Sequence, residues 1–171
     1  MVVIVTGETG IGKTTVCREV VSLCRERGLS CGGIVSVRTE SGDIFIEDLT
    51  AGSESLLARR GRGLDGPCTA GHSFSLAGIE HGNRAIESAT SASVVVVDEL
   101  GQLELSGRGF ARVLELMSEN PQRRWVLVIR SRLLQSFIPH LPASVRTFEA
   151  TTSTREALPQ QIVSLLSQPT Q

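Results

Sequence analysis

The chain has 171 residues, of which 40% are hydrophobic, and a formal net charge of −1. That length suits one domain with a real core, and the hydrophobic share is that of a soluble globular protein. The near-zero charge excludes a global basic field for nucleic acid, and no apolar run is long enough to span a bilayer, since "VVVV" at 94–97 is cut off by Asp98 and Glu99.

Met1 leads directly into a short strand-like run, without a basic segment or a long apolar stretch after it. The expectation is therefore an intracellular, cytoplasmic protein with no membrane or nucleic-acid partner, acting as a monomer. The apolar run at 2–5 predicts a strand. "GETGIGKTT", Gly7 to Thr15, follows it and opens into a helix at 12–27 that Gly28 closes. "GIVSVR" at 33–38 and "DIFIEDL" at 43–49 flank "TESG" and predict a β-hairpin. Residues 53–60 are predicted as a short helix, and the cluster Arg59, Arg60 and Arg62 enters a glycine-rich loop. "SFSL" at 73–76 reads as a short strand and 77–90 has helical period.

"SVVVVDE" at 93–99 is a buried strand, apolar and β-branched throughout. Residues 107–120 predict an amphipathic helix ended by Pro121. A second buried strand, "WVLVIR" at 125–130, precedes a helix at 131–138; a last strand at 145–150 precedes a last helix at 154–168. Apolar strands alternating with helices imply an α/β fold, a mainly parallel sheet with helices on both faces. The hairpin adds a small antiparallel element. No repeat or linker divides residues 1–171, which are expected to form a single P-loop domain.

"GETGIGKT" satisfies GxxxxGK[ST] at Gly7, Gly12, Lys13 and Thr14, with a strand before it and a helix after it. Glycines let the backbone curl so that amides at Glu8, Thr9, Gly10 and Ile11 form an anion nest, and the helix start at Thr14 and Thr15 adds positive potential. The 17 basic residues divide into 16 Arg and one Lys, and that one is Lys13. A compact ammonium on a flexible stem suits a phosphate clamp that guanidinium would not mimic. Such a loop holds a nucleoside di- or triphosphate, with the Thr14 hydroxyl offered to Mg²⁺. Asp98, at the C-terminal end of a central strand, would hold Mg²⁺ as well. Glu99 comes next, and strand alternation is expected to aim it differently, toward a water beside the terminal phosphate. Arg130 or Arg132, after the strand at 125–130, could supply positive charge to the transition state, as could the Arg59–Arg62 cluster. Glu104 and Arg108 read as a structural pair. The four cysteines, Cys17, Cys24, Cys31 and Cys68, read as buried free thiols.

"GETGIGKTT" and "VVVVDELGQLEL" together resemble the cancer-related nucleoside-triphosphatase family of small P-loop enzymes. Its second motif reads like DEIG-x-MEL followed by S-x-x-F, matched by Asp98, Glu99, Gly101, Glu104, Leu105 and Phe110. The hairpin resembles the family's through Arg38 and Phe45; Phe74 stands where the family has Tyr. The late segment matches at Arg155, Leu158 and Pro159, with Thr154 in place of Asn. The resemblance implies Mg²⁺-dependent hydrolysis of several nucleoside triphosphates with weak base selectivity, and Arg155 near the nucleotide. It also implies a RecA-like sheet with an extra strand between the two motif strands. Two rival readings are a nucleotide or small-molecule kinase and a nucleotide-gated interaction module. A regulatory GTPase is disfavoured, because the Asn-Lys-x-Asp base-reading motif is absent and Lys13 is the only lysine.

Overall fold

A computed structural model describes residues 1–168. The strands are β1 (Val2–Thr6), β2 (Cys31–Arg38), β3 (Ile44–Asp48), β4 (Glu54–Arg60), β5 (His72–Phe74), β6 (Val94–Leu100), β7 (Arg124–Ile129) and β8 (Val145–Glu149). The helices are α1 (Lys13–Glu26), α2 (Leu76–Ser88), α3 (Gln102–Leu105), α4 (Val113–Glu119), α5 (Ser131–Phe137) and α6 (Leu158–Leu166). All eight strands form one sheet in the order β5-β4-β3-β2-β6-β7-β1-β8. β2, β6, β7, β1 and β8 run parallel, and β3, β4 and β5 extend the β2 edge antiparallel. The strand expected between the two motif strands is β7, which pairs with β1 on one side and β6 on the other.

Strand alternation divides the core in two. Val94 and Val96 of β6, with Val3, Val5, Val126 and Val128, face α1 and α6. Val95 and Val97, with Val2, Ile4, Trp125 and Leu127, face α2, α4 and α5. Each such side chain taken fully out of water contributes about 1.5–3 kcal/mol, and burial on both faces is why these strands read as unbroken apolar runs. α1 ends as its sequence predicts. Gly28 has φ 74°, its amide donates to Arg25, and the Leu29 amide reaches back to Cys24 at 2.9 Å. That pattern satisfies the last carbonyls of the helix.

Three expected elements differ. Residues 53–60 are not a helix but β4, paired with β3 through Ile46↔Ser55, Phe45↔Leu56 and Ile44↔Ala58. Leu57 is the extra residue in that register, so Leu57 and Ala58 are both buried in succession and the period-two pattern is lost from the sequence. The helix expected over 107–120 is confined to α4. Gly107 and Gly109 have φ 73° and 62°, and no helix runs through two left-handed residues. The last helix starts at Leu158 rather than Thr154. The Thr154 hydroxyl instead donates to Glu149 O at 2.7 Å and receives the Thr151 amide at 2.9 Å, which fixes a turn. Cys17, Cys24 and Cys31 are buried free thiols as expected, whereas Cys68 is exposed. No helix among the described residues is long and apolar enough to cross a membrane.

Leu57 is the larger of the two side chains that the bulged strand β4 buries. Leu57→Ala is expected to lower stability by about 2–4 kcal/mol, while Arg60→Ala on the exposed face changes it by less than about 0.5 kcal/mol. Urea unfolding of the two variants checks this; equal effects would contradict the assigned register.

Candidate active site

The loop from Gly7 to Gly12 leaves β1 at the C-terminal rim of the parallel strands. Gly7 is buried with φ 145°, and a Cβ there would sit 2.6 Å from the Ala150 carbonyl oxygen. Gly12, with φ 103°, turns the chain into α1. That helix starts with no side-chain cap and no acidic residue in its first turn, so the potential of its amides is left to the hollow of the loop. Glu8, Thr9, Gly10 and Thr15 are exposed, and Ile11 packs on the α1 side of the core. Lys13 is buried, and its Nζ donates to Gly7 O at 2.9 Å and Glu8 O at 2.6 Å. Burial holds its pKa below the usual lysine value; Glu99, Asp98 and Glu8 oppose that shift and Arg130 adds to it. Arg155 lies over the loop, donating to Ile11 O at 3.4 Å.

Alternation along β6 sends Asp98 to the same face as Val94 and Val96, the face that carries α1. Its Oδ2 accepts three hydrogen bonds: from Thr14 Oγ1 at 2.8 Å, Ser36 Oγ at 2.6 Å and the Ser36 amide at 3.0 Å. The residue is 1% exposed, and its Oδ1 is buried without a partner among the described residues. Desolvation raises the carboxyl pKa, and the bonds from Ser36 and Thr14 partly offset that. A buried carboxylate oxygen with no donor, next to a threonine hydroxyl, is the hard-oxygen donor set that suits Mg²⁺. Sequence reasoning missed Ser36; its one signal is a lone hydroxyl in the otherwise apolar "GIVSV".

Glu99 does not obey alternation. Val97 pairs with Leu127 and Leu100 with Ile129, so β6 carries one residue more than β7 over this interval. Leu100 consequently returns to the face of Val95 and Val97. Among the described residues Glu99 is the one non-glycine with positive φ, 71°, a conformation that costs about 1–2 kcal/mol for an L-residue. A bulge, rather than strand alternation, therefore redirects its side chain. Its Oε1 accepts from Arg130 Nη2 at 2.7 Å and from Arg38 Nη2 at 3.5 Å. Arg130 sits at the end of β7, where it starts α5.

The remaining candidates separate. Arg132 lines a cleft beside Glu99. Arg59 pairs with Asp43 at 3.4 Å, and Arg60 and Arg62 are exposed. Glu104 does not pair with Arg108. It is buried, and its oxygens accept the Gly101 amide at 2.7 Å and the Phe110 amide at 3.0 Å, which pins the turn between α3 and α4.

A family model described as NTPase matches residues 2–163. The nucleoside-triphosphatase THEP1 of Methanopyrus kandleri is 32% identical over 170 residues, 94% of this chain and 92% of its own length. That of Archaeoglobus fulgidus is 26% identical over 97% of this chain and 99% of its own. Two solved structures share the fold. The human cancer-related nucleoside triphosphatase aligns with a TM-score of 0.78 at 21% identity, covering 99% of this chain and 98% of its own. THEP1 from Aquifex aeolicus aligns with a TM-score of 0.71 at 22% identity, covering 98% and 100%.

The desolvated Asp98 carboxyl carries a stability signature. Its pKa is raised on folding, so its contribution is fully present below the ordinary carboxylate range and is lost as pH rises through the raised value. Asp98→Asn keeps an acceptor for Thr14 and Ser36 without that loss. Without nucleotide or divalent cation, the variant should melt higher than wild type by a few degrees at about pH 8, with the gap closing toward about pH 4. Calorimetry across that range checks this; a gap independent of pH would contradict it.

Proposed function

This chain belongs to the NTPase family, and we propose that it hydrolyses nucleoside triphosphates, ATP and GTP among them, to the diphosphate and phosphate in a Mg²⁺-dependent reaction. The whole chain, residues 1–171, acts as one catalytic domain. The observation that carries the reading is the 2.8 Å contact between the Thr14 hydroxyl and Asp98, under an uncapped helix start and next to a carboxylate turned out of its strand. The relatives named nucleoside-triphosphatase THEP1 support the reaction class.

In this proposal the amides from Gly7 to Thr15 hold the β- and γ-phosphates, with Arg155 closing the outer side of the nucleotide. Lys13 exchanges its bonds to the Gly7 and Glu8 carbonyls for phosphate oxygens. An ammonium already stripped of water pairs strongly with an anion, since the desolvation cost has been met in the folded state. Thr14 and Asp98 would hold Mg²⁺, which when bound neutralises charge on the phosphates. Glu99 accepts a proton from the attacking water and fixes its direction. Arg130 keeps the Glu99 carboxylate in place through the 2.7 Å bond and presents positive charge on the γ-phosphate side. Arg38 adds a second, looser contact to the same oxygen.

Glu99→Gln keeps the shape and the hydrogen-bond acceptor but removes the base. It is expected to lower phosphate release by about 100-fold or more while nucleotide binding stays intact. Lys13→Ala should weaken both. Phosphate release from the common nucleoside triphosphates, with and without Mg²⁺, together with nucleotide binding, provides the test. Unchanged turnover in Glu99→Gln would remove Glu99 from the mechanism, and unchanged turnover in Lys13→Ala would overturn the site.

A further inference from the structure

Glu99 and Arg130 have a second side. Together they form part of the wall of a cleft of about 330 Å³ that none of residues 7–15 lines. A water nucleophile needs roughly 30 Å³, and 330 Å³ falls in the range of small-molecule sites. The lining is also of that kind. Leu57, Phe74 and Phe110 supply an apolar floor, and His72, Gln102 and Arg132 stand over it. Of the four charged groups in the lining, Glu99, Glu104, Arg130 and Arg132, three are committed. Glu99 is answered by Arg130 and Arg38. Both Glu104 oxygens are taken by the Gly101 and Phe110 amides. Arg132 has no hydrogen-bond or ion-pair partner among the described residues. His72 is held toward its neutral form, chiefly by burial, so it can donate to or accept from a hydroxyl. An apolar floor, one uncommitted guanidinium and a neutral imidazole suit a ligand with an apolar body, one acidic group and a hydroxyl.

We propose that this cleft seats a second substrate: a small hydroxy acid with an apolar ring, whose hydroxyl takes the phosphoryl group in place of water. The inference rests on the hydrolase reading of the phosphate loop. The acceptor oxygen forms a bond to the γ-phosphorus, and the bond from that phosphorus to the β–γ bridging oxygen breaks. The electron pair leaves with the nucleoside diphosphate, and the hydroxyl proton passes to Glu99. The acidic group lies on Arg132 and the ring on Phe74 and Phe110. Hydrolysis is then what the same machinery does when the cleft holds no acceptor and a single water stands beside Glu99.

The probes are para-(hydroxymethyl)benzoate, para-hydroxyphenylacetate and mandelate, each incubated with ATP, Mg²⁺ and the whole protein. Phosphorus NMR follows ester and inorganic phosphate in the same tube. At least one probe should yield its phosphate ester, and para-methylbenzoate, lacking the hydroxyl, should suppress that yield. Gly71 lines the cleft, and a Cβ there meets nothing within 4 Å. Gly71→Trp should therefore plug the cleft, removing ester formation while phosphate release stays within about twofold of wild type. Arg132→Gln should raise the KM for the probe about tenfold, the loss of a charge-assisted contact. Normal phosphate release with no ester from any of the three probes overturns the acceptor site and leaves the hydrolase standing. Ester formed equally well by Gly71→Trp overturns its location. No phosphate release from any nucleoside triphosphate overturns the hydrolase reading, and this inference with it.

Discussion

The hydrogen bonds converging on Asp98 Oδ2 hold the rest of the site in relation. They come from α1 through Thr14 and from β2 through both groups of Ser36, and they end on β6. Those three elements belong to distant parts of the sequence, and β7 separates β6 from the strand that leads into the loop. The loop after β1 must therefore carry the chain past β7 before the first turn of α1 can meet Asp98. Burying a carboxylate costs several kcal/mol before compensation. Three donors on one oxygen offset part of that cost, and the other oxygen is left without any. Such an arrangement is poor as a stabilising device, and its chemistry suits a hard cation.

Glu99 is the complementary case, a residue under backbone strain rather than desolvation. Its left-handed conformation sets the side chain aside from both core faces, at the boundary between the phosphate loop and the neighbouring cleft. Bulges at strand ends beside functional sites re-aim a side chain without disturbing the pairing further along. Here pairing resumes at Leu100↔Ile129, one residue later. Arg38 of β2 and Arg130, the residue between β7 and α5, then hold the carboxylate from two sides.

The parallel core, its two helical faces, the hairpin and the phosphate loop were legible in the sequence, because each is carried by a strong local pattern. Four apolar residues followed by two acids allow little except a buried strand reaching a rim. What was not legible depends on register. β4 reads as a helix because the bulge at Leu57 puts two buried residues in succession. Asp98 was assigned its role from its neighbours in the chain, but its tie to Ser36 required knowing that β2 pairs with β6. Arg130 was expected at the rim, yet its bond to Glu99 exists because β6 carries an extra residue against β7. Glu104 reads as the ionic partner of Arg108 one turn on, whereas the turn through the left-handed Gly107 and Gly109 brings the Phe110 amide to it and the Gly101 amide reaches it from the start of α3.

The strand order also bears on how the molecule is made. β1 carries the phosphate loop, yet its neighbours in the sheet are β7 and β8, whose residues lie at 124–149. As the polypeptide emerges from a ribosome, its first five-residue strand has nothing to pair with until most of the chain has been synthesised. At about 5–20 residues per second this leaves β1 waiting several seconds, a long interval for an apolar segment in water. The loop is thus encoded well before the strands that flank its own, so a ribosome stalled midway would display a chain with the loop's sequence and without β7 and β8 to hold β1.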